Sequence, residues 1–220
     1  MSSERGFTLI EMLVSMTLGI IVFVALMDLA DVSIRASARV EDRVDSSQRG
    51  RVAMDQIAQE LRSQVCLGPG VPAITQADDN SLTFYSQLGD ENSVPQRRRL
   101  VFANGTITEQ TFVGSGTPPN MTFPSTPTRS RDVITNTAPI TGTPVLRYYA
   151  FSTDDPPTPT EQLPTPLSTA DMARAVNIEI AYVVSPLRGG SNAALRSTFD
   201  DQIYSRKSDP TQPQQSPKCD

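Results

Sequence analysis

The 220-residue sequence has no His, no Trp, two Cys (Cys66 and Cys219) and two Lys (Lys207 and Lys218). Without His, His-based general acid–base chemistry, Ser-His and Cys-His nucleophiles and most zinc sites are excluded. Two Cys are too few for a thiolate metal cluster but enough for one disulfide. Aromatic residues make up 6% and hydrophobic residues 38%, set against 18 Pro and 12 Gly. That supply suits one modest core with many turns and disfavours a compact all-helical enzyme. Positive charge is also short: the net charge is −5, which argues against a dedicated nucleic-acid binder.

Pro is missing from the first 68 residues altogether, and only Gly6, Gly19 and Gly50 precede Gly68. Pro ends helices and Gly weakens them, so residues 7–66 are predicted to form one helix. Its first part, residues 7–27, is apolar on every face apart from Glu11 and a few hydroxyls. At 1.5 Å per residue that stretch spans roughly 32 Å, enough for a hydrocarbon core of about 30 Å. A cleaved secretory signal fits poorly, because the start pairs Arg5 with Glu4 and the apolar run leads into Met27-Asp28-Leu29-Ala30-Asp31 rather than a small-x-small site. A retained membrane helix over 7–30 is the reading.

From residue 31 to 66 the helix turns amphipathic, with Val40, Val44, Ile57, Leu61 and Val65 at helical spacing. Asp31–Arg35 and Asp45–Arg49 are acid-first i,i+4 pairs that add a few tenths of a kcal/mol each. The apolar stripe needs a partner surface, and the β-rich part that follows supplies one. Within 67–207, strands are expected at 81–88, 97–103, 106–113, 145–152, 174–184 and 198–205, with a short one at 132–136. Asn104-Gly105 marks a two-residue type I′ hairpin turn. Residues 114–144 and 154–169 are Thr/Pro-rich and read as mostly irregular, and 208–220 as a polar tail. The fold class is α+β: a long helix packed on an antiparallel sheet.

Chemistry concentrates at Arg5-Gly6-Phe7-Thr8-Leu9-Ile10-Glu11-Met12-Leu13. A carboxylate inside an apolar span costs about 2.5–3.5 kcal/mol on insertion scales, which makes Glu11 a functional residue by default. Cleavage after Gly6 would give Phe7 a free amine close to the carboxylates of neighbouring copies. At 4 Å and an effective dielectric of about 20, that attraction is worth roughly 4 kcal/mol.

These residues closely resemble the N-terminal signal of type IV pilins and type II secretion pseudopilins, a leader ending in Gly followed by Phe-Thr-Leu-Ile-Glu. The resemblance implies that 1–6 is a leader removed by a prepilin peptidase, that Phe7 is N-methylated, and that Glu11 is the assembly carboxylate. It implies a structural subunit rather than an enzyme, with no cofactor and no metal. Its partners would be the peptidase, the cytoplasmic membrane and other pilins, its N-terminus cytoplasmic and its head extracytoplasmic. Length, the segment 51–62 and the short signals at 146–151 and 175–180 resemble the J-type pseudopilins and W-type minor pilins. Major pilins often carry a Pro in the membrane-proximal helix and two nearby Cys, and this chain has neither. The Lys/Arg balance around the span, Arg5 against Arg35, Arg39 and Arg43, points to the opposite orientation, and the cleavage motif outweighs it.

Other signals weigh less. Arg97-Arg98-Arg99 could grip DNA but reads first as a solvated strand start. The acidic pairs at 78–79, 90–91, 154–155 and 200–201 lack the spacing of a Ca²⁺ loop. Gly114-Ser115-Gly116 precedes no helix, so it is no phosphate loop. An exported head meets an oxidising compartment, and the tail ends near Cys219, so a Cys66–Cys219 disulfide is expected. The rival readings are a signal-anchored single-pass protein with an extracytoplasmic binding domain, and an extracytoplasmic hydrolase built on a carboxylate pair.

Overall fold

The computed structural model describes residues 8–88, 94–152, 161–188, 195–205 and 219. The predicted leader 1–6 and Phe7 lie outside the described residues, as does the tail 208–220 apart from Cys219. Helix α1 runs Leu9–Arg62 in one piece, as the dearth of Pro and Gly requires. It stops four residues short of the predicted end because the backbone beyond it joins a strand instead. Val65 N–H donates to Tyr85 O (3.0 Å), Gln87 N–H donates to Ser63 O (3.0 Å), and Gln64 forms a bridge with Ser86. A strand edge with free carbonyls therefore outcompetes a last helical turn.

The chain divides into two compact units, one up to Asp42 and one from Arg43. The first unit is the N-terminal stretch of α1, in which every residue from Thr8 to Glu41 is exposed. It contains the one described helix segment long and apolar enough to cross a membrane, which supports single-pass anchoring.

The second unit packs the rest of α1 with two antiparallel sheets. Strands β1 (Ile74–Ala77), β2 (Ser81–Ser86), β3 (Gln96–Ala103) and β4 (Thr106–Val113) are followed by a small hairpin, β5 (Ser115–Thr117) and β6 (Asn120–Thr122). Then come β7 (Arg129–Thr135), β8 (Thr137–Ala138), β9 (Leu146–Ala150) and β10 (Glu161–Gln162). A short helix α2 (Thr169–Arg174) precedes β11 (Asn177–Val184) and β12 (Ser197–Tyr204). The first sheet has order β1-β2-β3-β4-β7; the second has order β10-β9-β11-β12, with β8 also on β11. The result is the predicted α+β arrangement, a long N-terminal helix followed by an antiparallel head.

Ile57 and Leu61 of α1 enter a core with Leu82, Phe84, Leu100, Tyr148, Ile178, Ile180 and Tyr182. The helix comes so close at Gly50 that a Cβ there would lie 2.0–2.7 Å from three Phe199 ring carbons, and the ring would have to shift. That ring stacks on Tyr182 at 5.6 Å, and Tyr182 Oη donates to Gly50 O at 3.1 Å. The predicted hairpin forms as read, with Asn104 (φ 50°) and Gly105 (φ 73°) both left-handed and β3 paired to β4 over eight residues.

Several expectations need correction. The strand expected at 132–136 begins at Arg129, because β4 offers it a free edge, and β5 and β6 add order to the region read as irregular. Strand β1 was not foreseen. Residues 169–174 are helical rather than loop or strand, because Ser168 caps them: its Oγ accepts the Asp171 N–H at 3.2 Å. The strand predicted from 174 accordingly starts at Asn177.

Candidate functional site

The first turn of α1 positions Glu11. Thr8 is the N-cap, and Glu11 sits three residues later, which is the capping-box spacing. Glu11 Oε2 accepts both the Thr8 N–H (3.1 Å) and the Thr8 hydroxyl (3.0 Å), while Thr8 Oγ1 accepts the Glu11 N–H (3.3 Å). The reciprocal bonds satisfy helix-start donors that would otherwise be bare in lipid. Reading Glu11 as an assembly carboxylate overlooked this local role, although Thr-x-x-Glu before an apolar run is its sequence signature. Between Leu9 and Met27 Glu11 is the only charged side chain. Thr17, also within the span, returns its hydroxyl to Leu13 O (3.1 Å) and Val14 O (2.9 Å), so it leaves no unpaired donor. Gly6 and Phe7, the predicted scissile pair, lie outside the described residues.

At the other end of α1, Cys66 and Cys219 form a disulfide with Cα atoms 5.3 Å apart and a sequence separation of 153. Gly70 N–H donates to Cys219 O at 2.9 Å, so backbone as well as sulfur joins the chain end to the helix exit.

The Arg97-Arg98-Arg99 run resolves by strand alternation. Arg98 turns inward and pairs with Glu60 of α1 (3.3 Å) and with Glu109 of β4. Arg131 of β7 reaches the same two carboxylates, Glu60 at 2.8 Å. Glu60 and Glu109 side chains are 4% and 1% exposed and Arg98 is 12% exposed, whereas Arg131 reaches them from the surface (41% exposed), so the four charges form a largely buried network joining the helix to three strands. Burial, with Glu109 beside it, pushes the Glu60 carboxyl up to about 7 from 4.5, against the pull of Arg98 and Arg131. Arg97 faces the opposite side, where its guanidinium lies over Phe112 (4.4 Å) and its head donates to Pro124 O. Arg98 and Arg97 are thereby committed within the fold, which leaves little of a DNA grip.

The acidic pairs at 78–79 and 200–201 serve turns and edges, and those at 90–91 and 154–155 lie outside the described residues. Asp78 accepts the Ser81 hydroxyl at 2.9 Å, Asp79 accepts the Thr165 hydroxyl, and Asp201 accepts the Gln202 N–H at 2.9 Å. Among the described residues no three acidic or Cys side chains converge as a metal site. The chemistry on offer is that of an apolar helix carrying one carboxylate at its start and, in the second unit, a disulfide-closed head.

No curated protein matches the chain. Residues 1–27, which contain the apolar helix start and Glu11, match the family described as the prokaryotic N-terminal methylation motif, and that match, with the long helix and antiparallel head, supports the chain's place among the type IV pilins and pseudopilins.

Proposed function

We propose that this chain is a minor pilin or pseudopilin, a structural subunit of a type IV pilus, a type II secretion pseudopilus or a DNA-uptake filament. The observation that carries the reading is the motif over residues 1–27 on an exposed apolar helix whose only charge is Glu11. Prepilin peptidase cuts between Gly6 and Phe7 and methylates Phe7. The mature subunit then comprises an anchor (7–30), an amphipathic segment (31–66), a head (67–207) and a tail (208–220). The leader stays cytoplasmic and the head is extracytoplasmic, which agrees with the Cys66–Cys219 disulfide because such bonds persist in oxidising compartments.

The work of the subunit is assembly. Its anchor leaves lipid for the filament core, Glu11 meets the terminal amine of a neighbour, and the head faces partners. A minor rather than a major role is favoured by the absence of Pro before Pro69 and by the wide Cys spacing, and the J or W type by length, the segment 51–62 and the signals at 146–151 and 175–180. N-terminal sequencing and intact mass of membrane-extracted protein test the reading. A mature chain beginning with methylated Phe7 is expected; a chain retaining Met1, or cut beyond Asp28, overturns it in favour of a signal-anchored protein of another kind or a secreted one.

A further inference from the structure

Within the second unit, α1 and the start of β12 border a groove of about 470 Å³. Arg43, Ser47 and Arg51 line one side at i, i+4 and i+8 of the helix, and Ser197 and Thr198 line the other. No carboxylate lines it. Arg43 and Arg51 are exposed and form no ion pair among the described residues, unlike Arg35 and Arg49, which are each held by an acid one turn earlier. Two guanidiniums eight residues apart on a helix stand roughly 12 Å apart. That spacing is too wide for one small anion to bridge but suits two carboxylates of a protein surface.

The bordering strand adds directional chemistry. β12 ends its sheet, with β11 on one side and no strand on the other among the described residues. Toward its C-terminal end Asp201 blunts the strand by taking the Gln202 N–H. Such capping protects an edge against pairing. At the other end Ser46 of α1 already engages Ser197 Oγ (3.1 Å) and Leu195 O (3.2 Å), which leaves Thr198, with no side-chain bond among the described residues, as the open part of the edge beside the cationic part of the helix.

We infer that this groove is a docking surface for a carboxylate-bearing segment of a neighbouring filament subunit, held by Arg43 and Arg51 and by the open end of β12. Charge complementarity selects that occupant. A subunit of this composition is net negative by five charges and exposes carboxylates such as Asp28 and Glu41 with no ion pair of their own among the described residues. A cationic, carboxylate-free groove on an acidic subunit matches what its sisters present. The inference rests on the pilin reading, because only a filament gives the head regular neighbours.

The test uses the full chain in cells that assemble the filament. The Arg43→Glu/Arg51→Glu double variant should be processed to Phe7 and keep its disulfide, while its recovery in sheared filaments falls at least tenfold. Arg43→Lys/Arg51→Lys should retain most incorporation, since the partner is read by charge. Benzoylphenylalanine placed at Ser47 should cross-link to a subunit itself processed at a prepilin motif, with the adduct mapped by mass spectrometry to an acidic segment. Wild-type incorporation of the double Glu variant overturns the groove. Adducts confined to lipid or nucleic acid also overturn it, by assigning the arginines to phosphate. A chain that retains Met1 overturns the pilin reading instead, so the two failures are told apart by the N-terminus.

Discussion

In the single chain the Glu11 carboxylate already has partners, because Thr8 offers it both an N–H and a hydroxyl. A neighbour's amine must compete with those bonds, and what it adds is a full positive charge that Thr8 does not carry. Glu11→Gln keeps an acceptor for Thr8 but carries no charge, whereas Glu11→Val removes both. Under the pilin reading both variants should insert and be cleaved, and both should lose most recovery in sheared filaments. Retention by Glu11→Gln alone would show that capping, not charge, is what assembly needs. Glu60 poses a different question. Its carboxyl binds a proton more tightly folded than unfolded, so its contribution is greatest below about pH 4.5 and falls as pH rises toward 7. The span of that loss is about 3 kcal/mol at most, at 1.36 kcal/mol per pKa unit. Gln mimics the protonated form, so Glu60→Gln should gain stability relative to wild type between pH 5 and 8. Thermal melts across that range check it, and a difference that stays flat would place the titration elsewhere.

At the scale of elements, α1 and the β3–β4 hairpin were the most legible parts. Both are written in punctuation, a lack of Pro and Gly for the helix and Asn104-Gly105 for the turn. Elements decided by tertiary pairing were not. β7 is mostly exposed, so no apolar alternation announces it, and it is a strand because β4 has an edge to fill. Arg98 could not be told from Arg97 or Arg99 in sequence, since its partners Glu60 and Glu109 come from other elements and charge runs read as solvated. Glu11 was found because a charge in an apolar run is conspicuous; its cap Thr8 was not, because the eye went to the charge. Gly50 went unread for the opposite reason, because one Gly in a long helix looks like tolerated weakness. The Phe199 ring lies where its Cβ would be. Gly50→Ala should therefore lower head stability by about 1–3 kcal/mol despite the better helix propensity of Ala. Adding Phe199→Leu should recover part of that loss, and denaturant melts of the two variants measure it.

For the whole molecule, the two units have unlike supports. Residues 8–41 bury nothing within the chain, whereas the head has its own core, its buried charge network and its disulfide. By the chain-entropy estimate, closing a loop of this length contributes about 5 kcal/mol, an upper figure because residual unfolded structure subtracts from it. Cys219→Ser should leave processing at Gly6 unchanged and make the head more sensitive to protease, which a digestion time course reads directly.

That same Cys66–Cys219 bond makes everything from residue 66 to residue 219 a covalent ring, with α1 and its anchor as the stem. A ring cut once does not come apart. A protease that nicks the head anywhere between the two cysteines leaves both fragments on the stem, and a single band on a non-reducing gel should split into two only after reduction. Fragments that separate without reductant would show an open ring. Under the pilin reading, which puts the head outside the cytoplasm, one backbone break is then survivable damage rather than the loss of its head.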